Sequence, residues 1–373
     1  MSYDHLAAAD AVAAIAREYA VRVDAKAEFP QPTIDAAREH GLFGLISSAE
    51  VGGRGLGLRQ AAEVIEKLAR ECGSSAMVMT MHYSGAAVIE KHGPLETRRA
   101  IAAGKHLSTL AFSESGSRSH FWAPLGTARV EGSSAVLDAS KSWVTSASHA
   151  DAYVWSSRTS GAEGASSLWL VDRSAAGLSI DGGFDGIGLR GNDSAPVKAA
   201  GARVPLGRRL GADGEGFGIM MQTVLPLFSV LISAGSVGMM EAAVEKTAEH
   251  AGGAKYAHLG GSPLTDLPTI RAYVARMRIQ TDMARTLWLD TIAALENGRV
   301  DAMLRVLEVK AATAESAREV LDTAMRVCGG QAFRKDVGVE RRFRDTRASL
   351  VMAPTSDQLY DFIGKAACGL PLF

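Results

Sequence analysis

The chain has 373 residues, 47% of them hydrophobic and 22% charged, with 39 glycines and 11 prolines. A globule of this length buries about three quarters of its unfolded surface, which excludes intrinsic disorder and a disulfide-stapled miniature scaffold. Forty basic side chains stand against 41 acidic ones, a net charge of −1 with no Lys/Arg block, so neither nucleic acid nor an anionic membrane surface is the expected partner.

From Tyr3 to about His106 the apolar residues recur at helical spacing, in AADAVAAIAREYAVRVDAKAE, PTIDAAREHG, LRQAAEVIEKLARE and SSAMVMTMHYSGAAVIEKHG, each run closed by a glycine or proline. This predicts an N-terminal helical domain over 1–106. From Leu107 the period becomes two, as in TARVEGSSAVLDASKSWVTS, AYVWSSR and SSLWLVD, which predicts a middle β-domain of six to eight short strands over 107–212. After GADGEGFG the helical period returns, predicting a C-terminal four-helix bundle over 213–373. Its helices are read as Gly216 to about His250, Leu267 to Glu296, Arg299 to Cys328, and a last one from Thr355. Gly216 to Met240 carries no charge over 25 residues, long enough to cross a bilayer. Gln222, Thr223, Pro226 and three serines favour instead a helix buried on every face in the protein interior.

Met1 to Glu28 offers no apolar core for a secretory leader. Cys72, Cys328 and Cys368 have neither metal-ligand spacing nor an even count, so no metal is expected, and a reducing, cytoplasmic location fits. A β-domain between two helical domains leaves a groove in which a flat cofactor can lie.

Seven collinear strings narrow the reading. They are HGLFGLISSAEVGGRGLGLRQ, LAFSESGSRSH, KSWVTSASHADAYV, GLRGNDSAPV, VPLGRRLGADGEGFGIMM, VCGGQAF and FRDTRASLVMAPTSDQL. In order and spacing the chain resembles the acyl-CoA dehydrogenase family of flavoproteins. The resemblance implies an α+β architecture of helical domain, β-barrel domain and four-helix bundle, assembled as a homotetramer or homodimer. It also implies FAD between the β-domain and the last domain. Family roles fall on Phe112 and Ser113 at the flavin pyrimidine, Ser119 near flavin or thioester, and Trp143 and Thr145 against the ring. An indole gives a flavin a flat apolar wall, and hydroxyl and backbone donors stabilise its reduced form. The bland alternatives are a core tryptophan and serines that satisfy their own loop.

Two departures stand out. The family's α-proton base, a glutamate eight residues after the aspartate of an Arg-Asp pair, falls on Ala353 when counted from Asp345. The family's other base position falls near Phe228, in the uncharged helix. The substitutes at hand are His120 and Asp357, whose ordinary readings are a surface-loop histidine and a helix-terminus charge. The pyrophosphate grip is altered as well. The segment HAGGAKYAHLGGSPL aligns Ala257 and Gly260 with the family's arginine and phenylalanine, leaving Lys255, Arg326 beside the pair Gly329 and Gly330, and Thr355 as cofactor contacts. FMN or diffusible reduced flavin is therefore an alternative to FAD. The expected function is flavin-dependent oxidation of an acyl thioester, on coenzyme A or a carrier protein, with a non-standard or absent base. The alternatives are a reduced-flavin monooxygenase and a non-catalytic partner subunit of a hetero-oligomer.

Overall fold

The computed structural model describes residues 3–372. The N-terminal part is helical: α1 (His5–Lys26), α2 (Gln31–Glu39), α3 (Leu58–Glu71), α4 (Gly73–His92) and α5 (Leu95–Ala102). Asp4 caps α1, its carboxylate accepting from the amides of Leu6 and Ala7 at 3.0 Å. In α3 the buried residues Ala61, Ile65, Leu68 and Ala69 follow the helical period, so one stripe faces the core. The glycine-rich turn before α3 shapes backbone: a Cβ on Gly53 would lie 2.2 Å from the Ser47 carbonyl oxygen.

The middle part holds β1 (Ser108–Ala111), β2 (Thr127–Glu131), β3 (Ser134–Val144), β4 (Ala152–Ser157), β5 (Ser167–Asp172), β6 (Leu178–Ile180), β7 (Ala195–Pro205) and β8 (Arg209–Leu210). They form two four-stranded sheets, ordered β1-β4-β5-β8 and β2-β3-β7-β6. The second sheet is antiparallel throughout, whereas β1 runs parallel to β4, Ser108 opposite Ala152. Strands β4 and β5 alternate between two cores rather than between core and water. Tyr153, Trp155, Trp169 and Val171 enter one apolar cluster, and Ala152, Val154, Leu168 and Leu170 the other.

The last part begins with α6 (Gly216–Ile219), passes through a π turn at Met220–Val224, and continues as α7 (Leu225–Gly253). The uncharged segment is thus a core helix with a π turn near its start, packed against α3 and α4. A short hairpin, β9 (Lys255–Tyr256) with β10 (Ser262–Pro263), leads to α8 (Pro268–Glu296) and α9 (Ala302–Cys328). Then come α10 (Val339–Val351) and α11 (Ser356–Ala367). The helix α10 has no counterpart in the sequence-based reading. Helices α7, α8 and α9 pack mutually, with α10 and α11 laid against α9.

Candidate active site

Strand β3 carries a bulge between Lys141 and Val144, and bulges re-aim side chains. Trp143 sits there at φ 55°, a costly conformation for an aromatic residue. Its indole is 68% exposed, edge-on to Phe184 with ring centres 6.2 Å apart, so it is not a core tryptophan. The Ser142 amide donates to the Ser113 carbonyl at 2.9 Å, and Glu114 bridges Lys141 across the same gap. This lays Phe112 and Ser113 beside the end of β3. Thr145, buried, shares a hydrogen bond with Ser194 at 3.1 Å, and its carbonyl accepts from the Thr109 hydroxyl at 2.9 Å. Among the described residues, five of the six non-glycine positive φ values fall in the β-domain, at Arg118, Trp143, Ser146, Leu189 and Asp193.

Beneath this edge lies a buried ion pair absent from the sequence-based site. Lys141 Nζ donates to Glu114 at 2.6 Å, to the Ser156 carbonyl at 2.7 Å and hydroxyl at 2.9 Å, and to the Phe112 carbonyl at 3.3 Å. Glu114 also accepts from the amides of Leu125 and Gly126. Burial lowers the Lys141 pKa, with the carboxylate opposing that shift. The pair fixes the backbone of Phe112–Glu114, where the flavin contacts are expected.

The loop after β1 reaches the last domain. Ser119 Oγ accepts from the Thr355 amide at 2.9 Å and donates to Thr355 Oγ1 at 3.3 Å. Thr355 is also the N-cap of α11, accepting from the Gln358 amide. Two residues upstream, Ala353 packs on an apolar cluster that contains Phe112, Phe121 and Trp122, and Phe228 of α7 packs on the same cluster. The two positions that the resemblance offers for a base therefore border one apolar surface. Adjoining it, Met77, Leu189 and Ile232 are buried together, with Met81, Phe228, Ala348 and Met352 against them.

The Arg344-Asp345 pair explains how α10 is oriented. Arg344 binds both oxygens of Asp24 in α1, at 2.6 and 2.8 Å, and donates to the Ile187 carbonyl. Asp345 accepts from the Leu189 amide at 2.6 Å, and burial pushes its carboxyl up to about 6. Helix α10 is thereby tied to the other two domains immediately before the turn that carries Ala353.

His120 is exposed, its ring edge-on to Trp122 at 5.1 Å. Asp357 is exposed in the first turn of α11, where a negative charge complements the helix terminus. They flank the Ser119–Thr355 contact from its two sides in sequence. Lys255, Arg326, Gly329 and Gly330 are all exposed; Lys255 begins the β9–β10 hairpin, and the Arg326 guanidinium lies 5.6 Å from the Tyr273 ring centre. These contacts of Lys255 and Arg326 lie within the helical domain.

An exposed indole on strained backbone, beside Ser113 and buried Thr145, fits one face and rim of a flavin ring. Lys141 and Lys310 were missed because a lysine inside an apolar register looks like a break in the pattern. Their spacing, on the inward face of β3 and on the buried stripe of α9, was the available signal.

Residues 2–104, 109–200 and 214–368 match the N-terminal, middle and C-terminal domains of acyl-CoA dehydrogenase. Human mitochondrial short-chain specific acyl-CoA dehydrogenase is 30% identical over 348 residues, covering 91% of this chain and 82% of that protein. The structure of butyryl-CoA dehydrogenase from Megasphaera elsdenii superposes with a TM-score of 0.90 at 20% identity, over 98% of this chain and 97% of that one. A structure of PigA with FAD and proline gives 0.90 at 19% identity, over 98% and 96%.

Proposed function

The chain belongs to the acyl-CoA dehydrogenase family, and from that premise we propose that it oxidises an acyl thioester, carried by coenzyme A or a carrier protein, with a proton acceptor other than the family glutamate. One observation carries the reading: Ala353 and Phe228 border the same apolar cluster beside the Ser119–Thr355 contact. An apolar surface of this kind suits an acyl chain, and neither Ala353 nor Phe228 offers a carboxylate. FAD, when bound, supplies the two-electron acceptor. Trp143 would orient its ring and Ser113 would hydrogen-bond at its rim, while Ser119, whose hydroxyl hydrogen goes to Thr355, would accept there. The apolar side chains of Met77, Met81, Phe228 and Ile232 exclude water from the acyl chain.

The proton acceptor must then come from beside the junction. His120 and Asp357 are the candidates, and a neutral imidazole accepts protons effectively near neutral pH. His120→Ala and Asp357→Asn separate them when anaerobic flavin reduction by an acyl-CoA is followed by stopped flow. Loss of the true acceptor slows reduction by about 10²–10⁴. If neither variant slows it, the assignment fails.

The same apolar pair favours a second reading, in which reduced flavin and O₂ oxygenate the substrate and no α-proton acceptor is needed. Colourless protein that consumes O₂ only with a flavin reductase supports that reading over the first. Self-association through the last domain is also expected. Ile279 and Met283 are 59% and 62% exposed on one face of α8, a stripe that a second copy can cover.

A further inference from the structure

Lys310 lies midway along α9, on the buried stripe it shares with Val306, Thr313 and Ala317, and is itself fully buried. Its Nζ donates to the carbonyls of Pro354 at 2.7 Å, Met352 at 3.0 Å and Ser349 at 3.2 Å. An ammonium has three N–H donors, and this set uses all of them. Among the described residues no carboxylate pairs with it, and burial pulls it down to about 7.

A buried cation without a counter-charge is costly, and an apolar residue of similar volume is often neutral or better. The placement of the three carbonyls gives the lysine its purpose. Ser349 lies in the last turn of α10, where carbonyls lack helical partners and the helix end is negative. The carbonyls of Met352 and Pro354 bracket Ala353. The next residue, Thr355, presents its amide to Ser119 and caps α11. One ammonium therefore closes α10, shapes the turn and starts α11.

We propose that Lys310 is a positioning residue for the reaction: its ammonium holds the 349–354 turn, and so fixes Ala353 against the acyl site and Thr355 against Ser119. This rests on the reading that Ala353 borders the acyl thioester. The role differs from plain core packing because it acts on one turn and needs donors.

The test compares Lys310→Met, which removes the donors, with Lys310→Gln, which restores some of them, in the full-length FAD-loaded protein. In Lys310→Met, amide exchange over 352–358 should accelerate roughly tenfold or more relative to the interior of α9. Anaerobic reduction by an acyl-CoA, measured at saturating FAD, should slow by about ten- to a hundredfold. Lys310→Gln should recover part of both. Exchange that rises uniformly through the protein, or a turn and a rate that stay at wild-type values, would overturn the proposal. If Lys310→Met does not fold, the Gln variant and the wild type decide. The Thr355 amide must exchange as slowly as the α9 interior in the wild type and faster in the Gln variant, and a Thr355 amide as fast as an exposed loop overturns the proposal. Should wild-type protein ignore acyl thioesters, the substrate reading fails, and amide exchange still judges Lys310.

Discussion

Trp143 combines an unfavourable φ with an exposed indole, a pairing that folding alone does not reward. Trp143→Ala should therefore leave the melting temperature unchanged or slightly higher while weakening FAD. Loss of aromatic contact is worth about 0.5–1.5 kcal/mol, roughly two- to tenfold in Kd; fluorescence titration measures it, and unchanged affinity would remove Trp143 from the site. Asp345 gives a pH prediction. Its carboxyl is raised to about 6 by burial, so the native state holds the proton more tightly than the unfolded chain does. Its contribution to stability is complete below the unfolded carboxylate pKa, about 3.9, and is lost as pH rises through about 6. Asp345→Asn keeps an acceptor for the Leu189 amide and removes that loss. The melting temperature of the variant relative to wild type should rise between pH 4 and 7; a difference independent of pH contradicts the assignment.

At the level of elements, α3 and α7 approach closely because Gly238 lacks a side chain: a Cβ there would lie 2.3 Å from the Glu66 carbonyl oxygen. Gly238→Ala should destabilise by about 1–3 kcal/mol through overpacking, read by denaturant midpoint. The helices of the first domain and the long helices of the last were legible because their apolar stripes repeat at the helical period. Helix α10 was not, since RRFRDTR reads as a solvated segment. Arg342 and Asp345 are nevertheless buried, because their partners come from other elements: Arg342 donates to the Arg70 carbonyl and Asp345 accepts from Leu189. Local sequence carries no trace of such partners. The bulge that turns Trp143 outward was hidden for a similar reason, being set by the pairing of β3 with β7.

For the whole molecule, the helix–sheet–helix order brings distant segments to one junction. Ser119 and Thr355 are 236 residues apart in sequence, yet their side chains meet. The contact unites two strings that the resemblance had already marked. Lys310 was marked only by its place on the buried stripe of α9, since its partners are backbone carbonyls. Ala353→Glu follows from the same geometry: the new carboxylate lies where the family base is expected, and it should raise acyl-CoA oxidation without weakening FAD. Light scattering at micromolar concentration should show a dimer or tetramer, and Met283→Glu on α8 should shift it toward monomer.

The most direct measurement is anaerobic titration of the purified, flavin-loaded protein with acyl-CoA and acyl-carrier thioesters of graded chain length, the cofactor being identified by mass. The account predicts FAD, and bleaching of its visible absorbance by at least one thioester. Flavin that stays oxidised against the whole series, in protein that consumes O₂ once a reductase is supplied, would contradict it.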